Sequence, residues 1–120
     1  MGFQLKAVQA LDLWRGAIVE SVRRDGPDLS ARQMALLLTV YLTPPPHTVR
    51  GLAQTMNVSK PAITRALDRL SELGLIKRKT DETDRRSVLV QRTVKGSVYL
   101  REFGDLIVAA AATAGDDAAQ

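Results

Sequence analysis

Two apolar stripes run along the first 24 residues at helical spacing. One consists of Val8, Leu11, Ile18 and Val22, and the other of Phe3, Ala7, Ala10, Trp14 and Ala17. A surface helix of a small monomer needs only one such stripe. The pattern therefore predicts a helix over residues 3–24 that is buried on two sides, with a partner subunit against Leu11, Trp14 and Ile18. A helix at the centre of a single-chain core would show the same pattern.

A second helix is predicted to begin after residue 30. Ser30 and Gln33 have the spacing of a capping box, in which each side chain accepts a hydrogen bond from the other residue's backbone N–H. Apolar positions continue at helical spacing to Tyr41. Three prolines at residues 44–46 then end the pattern, because proline cannot continue a helix.

The next two helices are joined by a tight turn. Thr48 can cap a short helix through Met56, Asn57 suits the left-handed conformation of the turn, and Ser59 can cap the following helix. Gly74 is a typical residue just past a helix end. Residues 48–73 are therefore predicted to form a helix-turn-helix.

A polar stretch, residues 77–86, follows between two apolar runs at 75–76 and 88–90. Because β-branched residues favour strands and Asp and Thr favour turns, this pattern predicts a β-hairpin, the wing of a winged helix. Thr93 can cap a final helix.

The predicted fold class is mainly α with a small β-hairpin wing. It is a single winged-helix domain over residues 1–120, with a winged helix-turn-helix core flanked by dimerisation helices. The predicted parts are an N-terminal dimerisation helix at 3–24, the core at 30–92, a C-terminal helix at 93–112 and a frayed tail at 113–120.

The composition excludes several function classes. The 120 residues include no cysteine and one histidine, His47, so we expect neither a disulfide nor a metal or cofactor site. There is no Gly-rich phosphate loop and no closely spaced acidic pair in a predicted pocket, so we do not expect an enzyme. The chain has no apolar run that would span a membrane and no signal-peptide pattern, which predicts a cytoplasmic protein.

Positive charge is concentrated in the helix-turn-helix and the hairpin. Residues 48–101 contain 12 Lys and Arg against 5 Asp and Glu, a net charge of +7, whereas residues 102–120 contain four acids and no base. A basic region of this kind attracts the phosphate backbone of nucleic acid. Solvated basic faces are also common in proteins that bind no nucleic acid, so charge alone leaves that alternative open.

The second helix of the helix-turn-helix is the one expected in the major groove of DNA. Thr64 and Arg65 are predicted to contact base edges, and Arg69, one turn further on, a phosphate. In the free protein, Arg65 and Arg69 could instead pair with Asp68 and Glu72. The full set of predicted contact residues is Ser59, Lys60, Pro61, Thr64, Arg65 and Arg69.

The predicted DNA contacts of the hairpin are Lys79, Asp84, Arg85 and Arg86. The two arginines are candidates for insertion into a narrow minor groove, where the potential is most negative. A free carboxylate at Asp84 would repel phosphate, so we expect Asp84 to pair with an arginine and to hold the loop in shape.

Several short motifs together resemble the MarR family of bacterial transcriptional regulators. They lie at residues 48–53, 58–65, 70–76, 84–87 and 93–96. The most specific part is the Asp84-x-Arg86 element followed by Thr93-x-x-Gly96. The resemblance implies a homodimer that binds a pseudo-palindromic operator in double-stranded DNA, often under the control of a small anionic or phenolic effector. It also places Asp84 and Arg86 on the wing, with the arginine in the minor groove.

Family members usually continue through a longer C-terminal helical region, so we expect a dimer that depends more on the first helix or on a shortened C-terminal helix. We also expect the ligand pocket to be reduced or absent. Two other functions stay open: a winged helix that contacts proteins, and a DNA-binding protein without ligand control. The outward residues of the second helix of the helix-turn-helix are polar or basic, which favours DNA over a protein partner.

Overall fold

The computed structural model describes residues 5–119, with the backbone alone for 115–119. The chain divides into two compact units, a central unit of residues 29–100 and a terminal unit of residues 1–28 and 101–120. In chain order the elements are α1 (Ala7–Arg23), α2 (Ala31–Leu42), α3 (Val49–Met56), α4 (Lys60–Glu72), β1 (Ile76–Thr80), β2 (Val88–Arg92) and α5 (Val94–Ala119). The predicted class, helices with one small hairpin, is confirmed.

The predicted helix starts in the central unit are confirmed by their hydrogen bonds. The backbone N–H of Gln33 donates to Ser30 Oγ (3.1 Å), and the backbone N–H of Ser30 donates to Gln33 Oε1 (2.9 Å). Thr48 caps α3 and Thr93 caps α5 through their hydroxyl oxygens, each 3.0 Å from a backbone nitrogen three residues later.

Two left-handed residues end the helices of the helix-turn-helix. Asn57, with φ of 54°, follows α3, and Gly74, with φ of 75°, follows α4. At the end of α4 the backbone N–H of Leu75 donates to Leu70 O (2.9 Å) and that of Gly74 to Ser71 O (2.9 Å), the paired hydrogen bonds of a Schellman motif. These turns direct the chain from α3 into α4 and from α4 into β1.

The core of the central unit is apolar and lies between α2, α3, α4 and the base of the hairpin. Its fully buried side chains with the largest volumes are Leu36, Leu37, Leu52, Ile63, Leu67, Leu70, Leu75, Ile76 and Val40. Burying a side chain of this size contributes about 1.5–3 kcal/mol relative to leaving it exposed. The hydrophobic effect therefore holds α4 and the hairpin base together.

The hairpin is antiparallel, with Ile76 opposite Arg92 and Thr80 opposite Val88. The far edge of β2 is also covered, because the backbone N–H of Val90 donates to His47 O (2.8 Å). Arg92 continues this attachment, since its Nε donates to the carbonyl oxygen of Val40 near the end of α2 (2.9 Å).

A polar junction ties the hairpin base to α2 and α5. The hydroxyl of Tyr41 donates to Leu75 O (2.6 Å) and accepts from the backbone N–H of Thr93 (2.8 Å). The Thr93 hydroxyl donates to Gly74 O (2.7 Å). Gly96 lies directly against this junction, and a Cβ there would overlap the Tyr41 hydroxyl and the Leu75 carbonyl oxygen.

In the terminal unit, α1 begins at Ala7, so the predicted start at residue 3 is wrong for Leu5 and Lys6, and Phe3 lies outside the described residues. The cause is local, because Gln9 Oε1 accepts from the backbone N–H of Lys6 (2.9 Å) and caps the helix there. Ala17 is fully buried.

The predicted frayed tail is also wrong, because α5 continues to Ala119. Residues 108–114 contain a run of alanines, the best helix former, and the single glycine at 115 costs only about 1 kcal/mol. Among the described residues, no helix has both the length and the apolar character required to cross a membrane.

Candidate nucleic-acid interface

Helix α4 has one buried and one exposed face, as its sequence predicts. The buried residues are Ala62, Ile63, Ala66, Leu67 and Leu70. The exposed residues include Lys60, Thr64, Arg65 and Arg69. A helix held by an apolar face of this width presents its opposite face in a fixed orientation, and that face carries hydrogen-bond donors and positive charge.

Ser59 and Pro61 shape the start of α4. Ser59 Oγ accepts from the backbone N–H of Ala62 (3.3 Å), which caps the helix. Pro61 is in the first turn, where no intrahelical N–H bond is lost. Both side chains are exposed. The N-terminal end of α4 is thus open to solvent, and the helix dipole makes it favourable for an anion.

The acids of α4 are both in ion pairs. Arg78 Nη1 of β1 lies 2.7 Å from Asp68 Oδ1, and Arg69 Nη1 lies 3.7 Å from Glu72 Oε2. The expected alternative pairing therefore forms for Arg69, whereas Asp68 pairs with the hairpin. Among the described residues, Arg65 forms no ion pair. Its side chain is exposed.

Asp84 shapes the hairpin tip through the backbone. Its Oδ1 accepts from the backbone N–H of Arg86 (3.1 Å), and its Oδ2 accepts from the Ser87 hydroxyl (3.4 Å). In the described part of the chain it forms no ion pair, so the expected pairing with an arginine side chain is wrong. The backbone N–H of Arg86, two residues further on, is within hydrogen-bond reach of the carboxylate, and the two form an Asx turn.

A second aspartate stabilises the other side of the same tip. Asp81 Oδ1 accepts from the hydroxyl of Thr83 (2.7 Å) and from its backbone N–H (2.9 Å). These hydrogen bonds lower the pKa of the Asp81 carboxyl below its ordinary value, the Thr83 hydroxyl having the larger effect. Lys79 Nζ lies 3.9 Å from Glu82 Oε1, an exposed pair of small energetic weight. The exposed side chains of Arg85 and Arg86 project from a tip whose backbone is held by two carboxylates.

An open groove of about 870 Å³ separates the first turn of α4 from the wing. Its walls bring together four of the predicted contact residues, Lys60, Thr64, Asp84 and Arg86. The groove residues as a set are Thr48, Val49, Arg50, Lys60, Thr64, Thr83, Asp84, Arg86, Ser87 and Val88. Arg65, Arg69, Lys79 and Arg85 lie outside this lining.

Arg50 is the residue that sequence reasoning missed. It lies on α3 and lines this groove as well as a neighbouring one of about 470 Å³, and Lys60 does the same. The two cations therefore stand on the ridge between the grooves. A signal was present in the sequence, because Arg50 is the second residue of a helix whose inward positions are Leu52 and Ala53.

The residues predicted for dimerisation lie on α1 and differ in exposure. Leu11 is 69% exposed and Trp14 46%, whereas Ile18 is half-buried. Trp14 packs edge to face against Phe103 of α5, with ring centroids 6.0 Å apart. Val8 and Val22, of the same stripe as Leu11, are also exposed, so a single copy leaves this stripe largely open to solvent.

Residues 28–87, half of the chain, match the model of the MarR family. Among solved structures, the chain is similar to a mutant of MepR from S. aureus, with a TM-score of 0.75 and 17% identity over 95% of this chain and 85% of that one. At that identity the likeness concerns the fold alone.

Two further structures are more similar in sequence. The transcriptional regulator BldR from Sulfolobus solfataricus has 29% identity and a TM-score of 0.60, over 86% of this chain and 80% of that one. The transcriptional repressor CouR, solved with a 23-mer DNA duplex, has 26% identity and a TM-score of 0.66, over 82% of this chain and 67% of that one.

Proposed function

The chain belongs to the MarR family of transcriptional regulators, and from that membership we propose that it binds a pseudo-palindromic operator as a homodimer. In each half-site α4 occupies the major groove, with Thr64 and Arg65 at base edges, and Arg86 of the wing enters the adjacent minor groove. Members of this family are regulators and not enzymes.

The groove between α4 and the wing is the observation that carries this proposal. It is open, its cations are Arg50, Lys60 and Arg86, and its single acid, Asp84, is engaged by an N–H and a hydroxyl. A phosphate backbone running along the groove would meet these cations on both sides. A protein partner would be expected to bury apolar side chains, and the exposed face of α4 has few.

Selection from a random pool of duplexes tests the proposal. We expect the purified chain to recover inverted repeats, with half-sites about one helical turn apart and one dimer per duplex. Affinity for a recovered duplex should fall steeply with salt, because each neutralised phosphate contributes about 0.9 to the logarithmic slope. Recovery of no common motif, with a flat salt dependence, would favour the protein-contact alternative.

We propose that the dimer forms through α1. The stripe of Val8, Leu11, Ile18 and Val22 is too apolar for a permanent solvent contact, although Ile18 is half-buried within its own chain. Trp14, of the neighbouring stripe, borders it and packs against Phe103. A two-fold axis would bring the stripe of one copy against that of the other, and an isologous contact of this kind is the commonest in small oligomers.

Control by a small anionic or phenolic effector is proposed from the family alone. Titrating a small aromatic carboxylate and a phenol against the protein–duplex complex, with fluorescence polarisation as the readout, tests it directly. Release of the duplex by either compound supports control by a ligand, and unchanged polarisation supports ligand-independent binding.

Replacing Arg65 by alanine should weaken operator binding by about 1–3 kcal/mol per half-site and relax the preference at one base position. The reason is that its guanidinium is exposed and not engaged by an acid among the described residues, so it is available for a bidentate contact. Titration against single-base variants of the selected duplex measures both effects. Arg69→Ala is the matched comparison, since Arg69 pairs with Glu72 and is expected to contact phosphate. Equal loss at all base positions for Arg65→Ala would contradict base reading.

Two substitutions at Asp84 should distinguish the effect of its turn hydrogen bonds on DNA binding from the effect of its negative charge. An asparagine oxygen can still accept from the Arg86 N–H, so Asp84→Asn should keep the turn and bind DNA as tightly as the wild type or more tightly. Asp84→Ala removes the same charge and the acceptor, and the lost hydrogen bonds should weaken binding roughly two- to tenfold. Arg86→Ala should weaken it most on A·T-flanked duplexes. If both Asp84 variants bind more tightly, the wing acts only as a basic patch.

A further inference from the structure

The ion pair between Asp68 and Arg78 is the only one, among the described residues, that joins α4 to the hairpin. Its atoms are 2.7 Å apart, at the short end for a charge-assisted hydrogen bond, and the side chain of Arg78 is only 30% exposed. We propose that this pair is a positioning strut that sets the distance between α4 and the wing. It thereby sets the number of base pairs that the chain accepts, within one half-site, between the major-groove contact of α4 and the minor-groove contact of the wing. The inference rests on the proposed binding of DNA.

The strut lies where the hairpin leaves the core. Ile76 is buried, and Arg78, two residues along β1, is on the same face of the sheet. The next residue on that face, Thr80, pairs with Val88, and Val88 lines the open groove. On α4, Asp68 is one helical turn beyond Thr64, another groove residue. The ion pair is therefore a side-chain contact between α4 and the hairpin that lies next to the opening of the groove.

The hydrogen bonds of the hairpin tip are internal to it. Asp81 bonds Thr83, and Asp84 bonds Arg86 and Ser87, so these contacts shape the tip without fixing its direction. Its direction is set at the base, by the packing of Ile76, by the backbone hydrogen bond from Val90 to His47 O and by the strut on the α4 side. On B-form DNA, the distance between a major-groove site and the adjacent minor-groove site depends on the number of base pairs between them. The separation of α4 from the wing therefore determines how many base pairs lie between the bases read by α4 and the flank read by the wing.

A double-mutant cycle on two duplexes tests the strut. The first duplex is one recovered by the wild-type chain, and the second has one base pair inserted between the bases read by α4 and the flank read by the wing. The variants are Asp68→Asn, Arg78→Gln and the two together. We expect each single variant to reduce the preference for the first duplex roughly three- to tenfold, and the double variant to reduce it no further. The salt slope should not change.

Glu72→Gln is the matched control, because it also removes one negative charge from α4 but leaves the strut intact. Its spacing preference should equal that of the wild type. Thermal unfolding of every variant shows that it is folded, and since the pair is partly exposed we expect small shifts. Arg78→Lys, which keeps a cation opposite Asp68, should retain part of the preference.

Direct contact of Arg78 with phosphate is the competing account, and it predicts the opposite pattern. Arg78→Gln would then lower the salt slope by about 0.9 per subunit, Asp68→Asn would tighten binding to both duplexes, and the spacing preference would stay constant. That result overturns the strut. If the wild-type chain recovers no duplex at all, the proposed function fails instead, so the two failures are distinguishable.

Discussion

Gly96→Ala should lower the free energy of unfolding by about 3 kcal/mol and the melting temperature by about 10 °C. The added Cβ would overlap the Tyr41 hydroxyl and the Leu75 carbonyl oxygen. Neither group can move away freely, because the hydroxyl donates to that carbonyl and accepts from the backbone N–H of Thr93. Any shift that makes room for the methyl group breaks hydrogen bonds at a partly buried junction. Thermal and denaturant unfolding followed by circular dichroism would measure the loss.

Gly104→Ala is the matched control on the same helix, because a Cβ at that position meets no atom within 4 Å in the chain. In the middle of a helix, alanine is favoured over glycine by roughly 0.5–1 kcal/mol, so this variant should be as stable as the wild type or slightly more stable. If the two variants unfold at the same temperature, the close packing around Gly96 does not limit the stability of the fold.

Leu11→Glu should convert the proposed dimer into a monomer at micromolar concentration. Burial of a leucine side chain contributes about 1.5–3 kcal/mol, and a two-fold dimer buries one such side chain from each copy. The dimer dissociation constant should therefore rise at least about a hundredfold. The glutamates would add a like-charge contact across the axis. Light scattering should report about twice the 13.1 kDa chain mass for the wild type and the chain mass for the variant.

Leu42→Glu gives the corresponding control, since Leu42 is 75% exposed on α2 of the central unit and has no role in the proposed dimer. It should leave the mass unchanged. A wild-type chain that is monomeric at micromolar concentration and still binds an inverted repeat with one subunit would exclude dimerisation through α1.

Much of the fold could be predicted from short-range sequence signals. The capping box at Ser30 and Gln33, the left-handed Asn57 and the helix-ending Gly74 are decided by interactions within five residues, and each forms as expected. The outward position of Thr64 and Arg65 follows from the 3.6-residue period of α4. Signals of this kind do not depend on the tertiary structure.

The side-chain pairings were harder to predict, because the sequence offers several partners on equal terms. Asp84 had arginines beside it in sequence, but its carboxylate bonds the backbone N–H of Arg86. Asp68 could have paired with Arg65 on its own helix, but Arg78, ten residues away, lies closer once the hairpin folds back. The placement of Arg50 beside Lys60 also depends on the angle between α3 and α4, which periodicity does not give.

The uncovered edge of the hairpin bears on the solubility of the protein. No strand among the described residues pairs with the outer edge of β1, whereas the outer edge of β2 bonds His47. An open edge of this kind is a template for cross-β association between chains. Consecutive cations at Lys77, Arg78 and Lys79 would face their own copies in such a contact, and their repulsion opposes it. When polyanions screen those charges the edge loses this protection, so concentrated protein should aggregate more readily with short, non-operator duplexes than in salt alone.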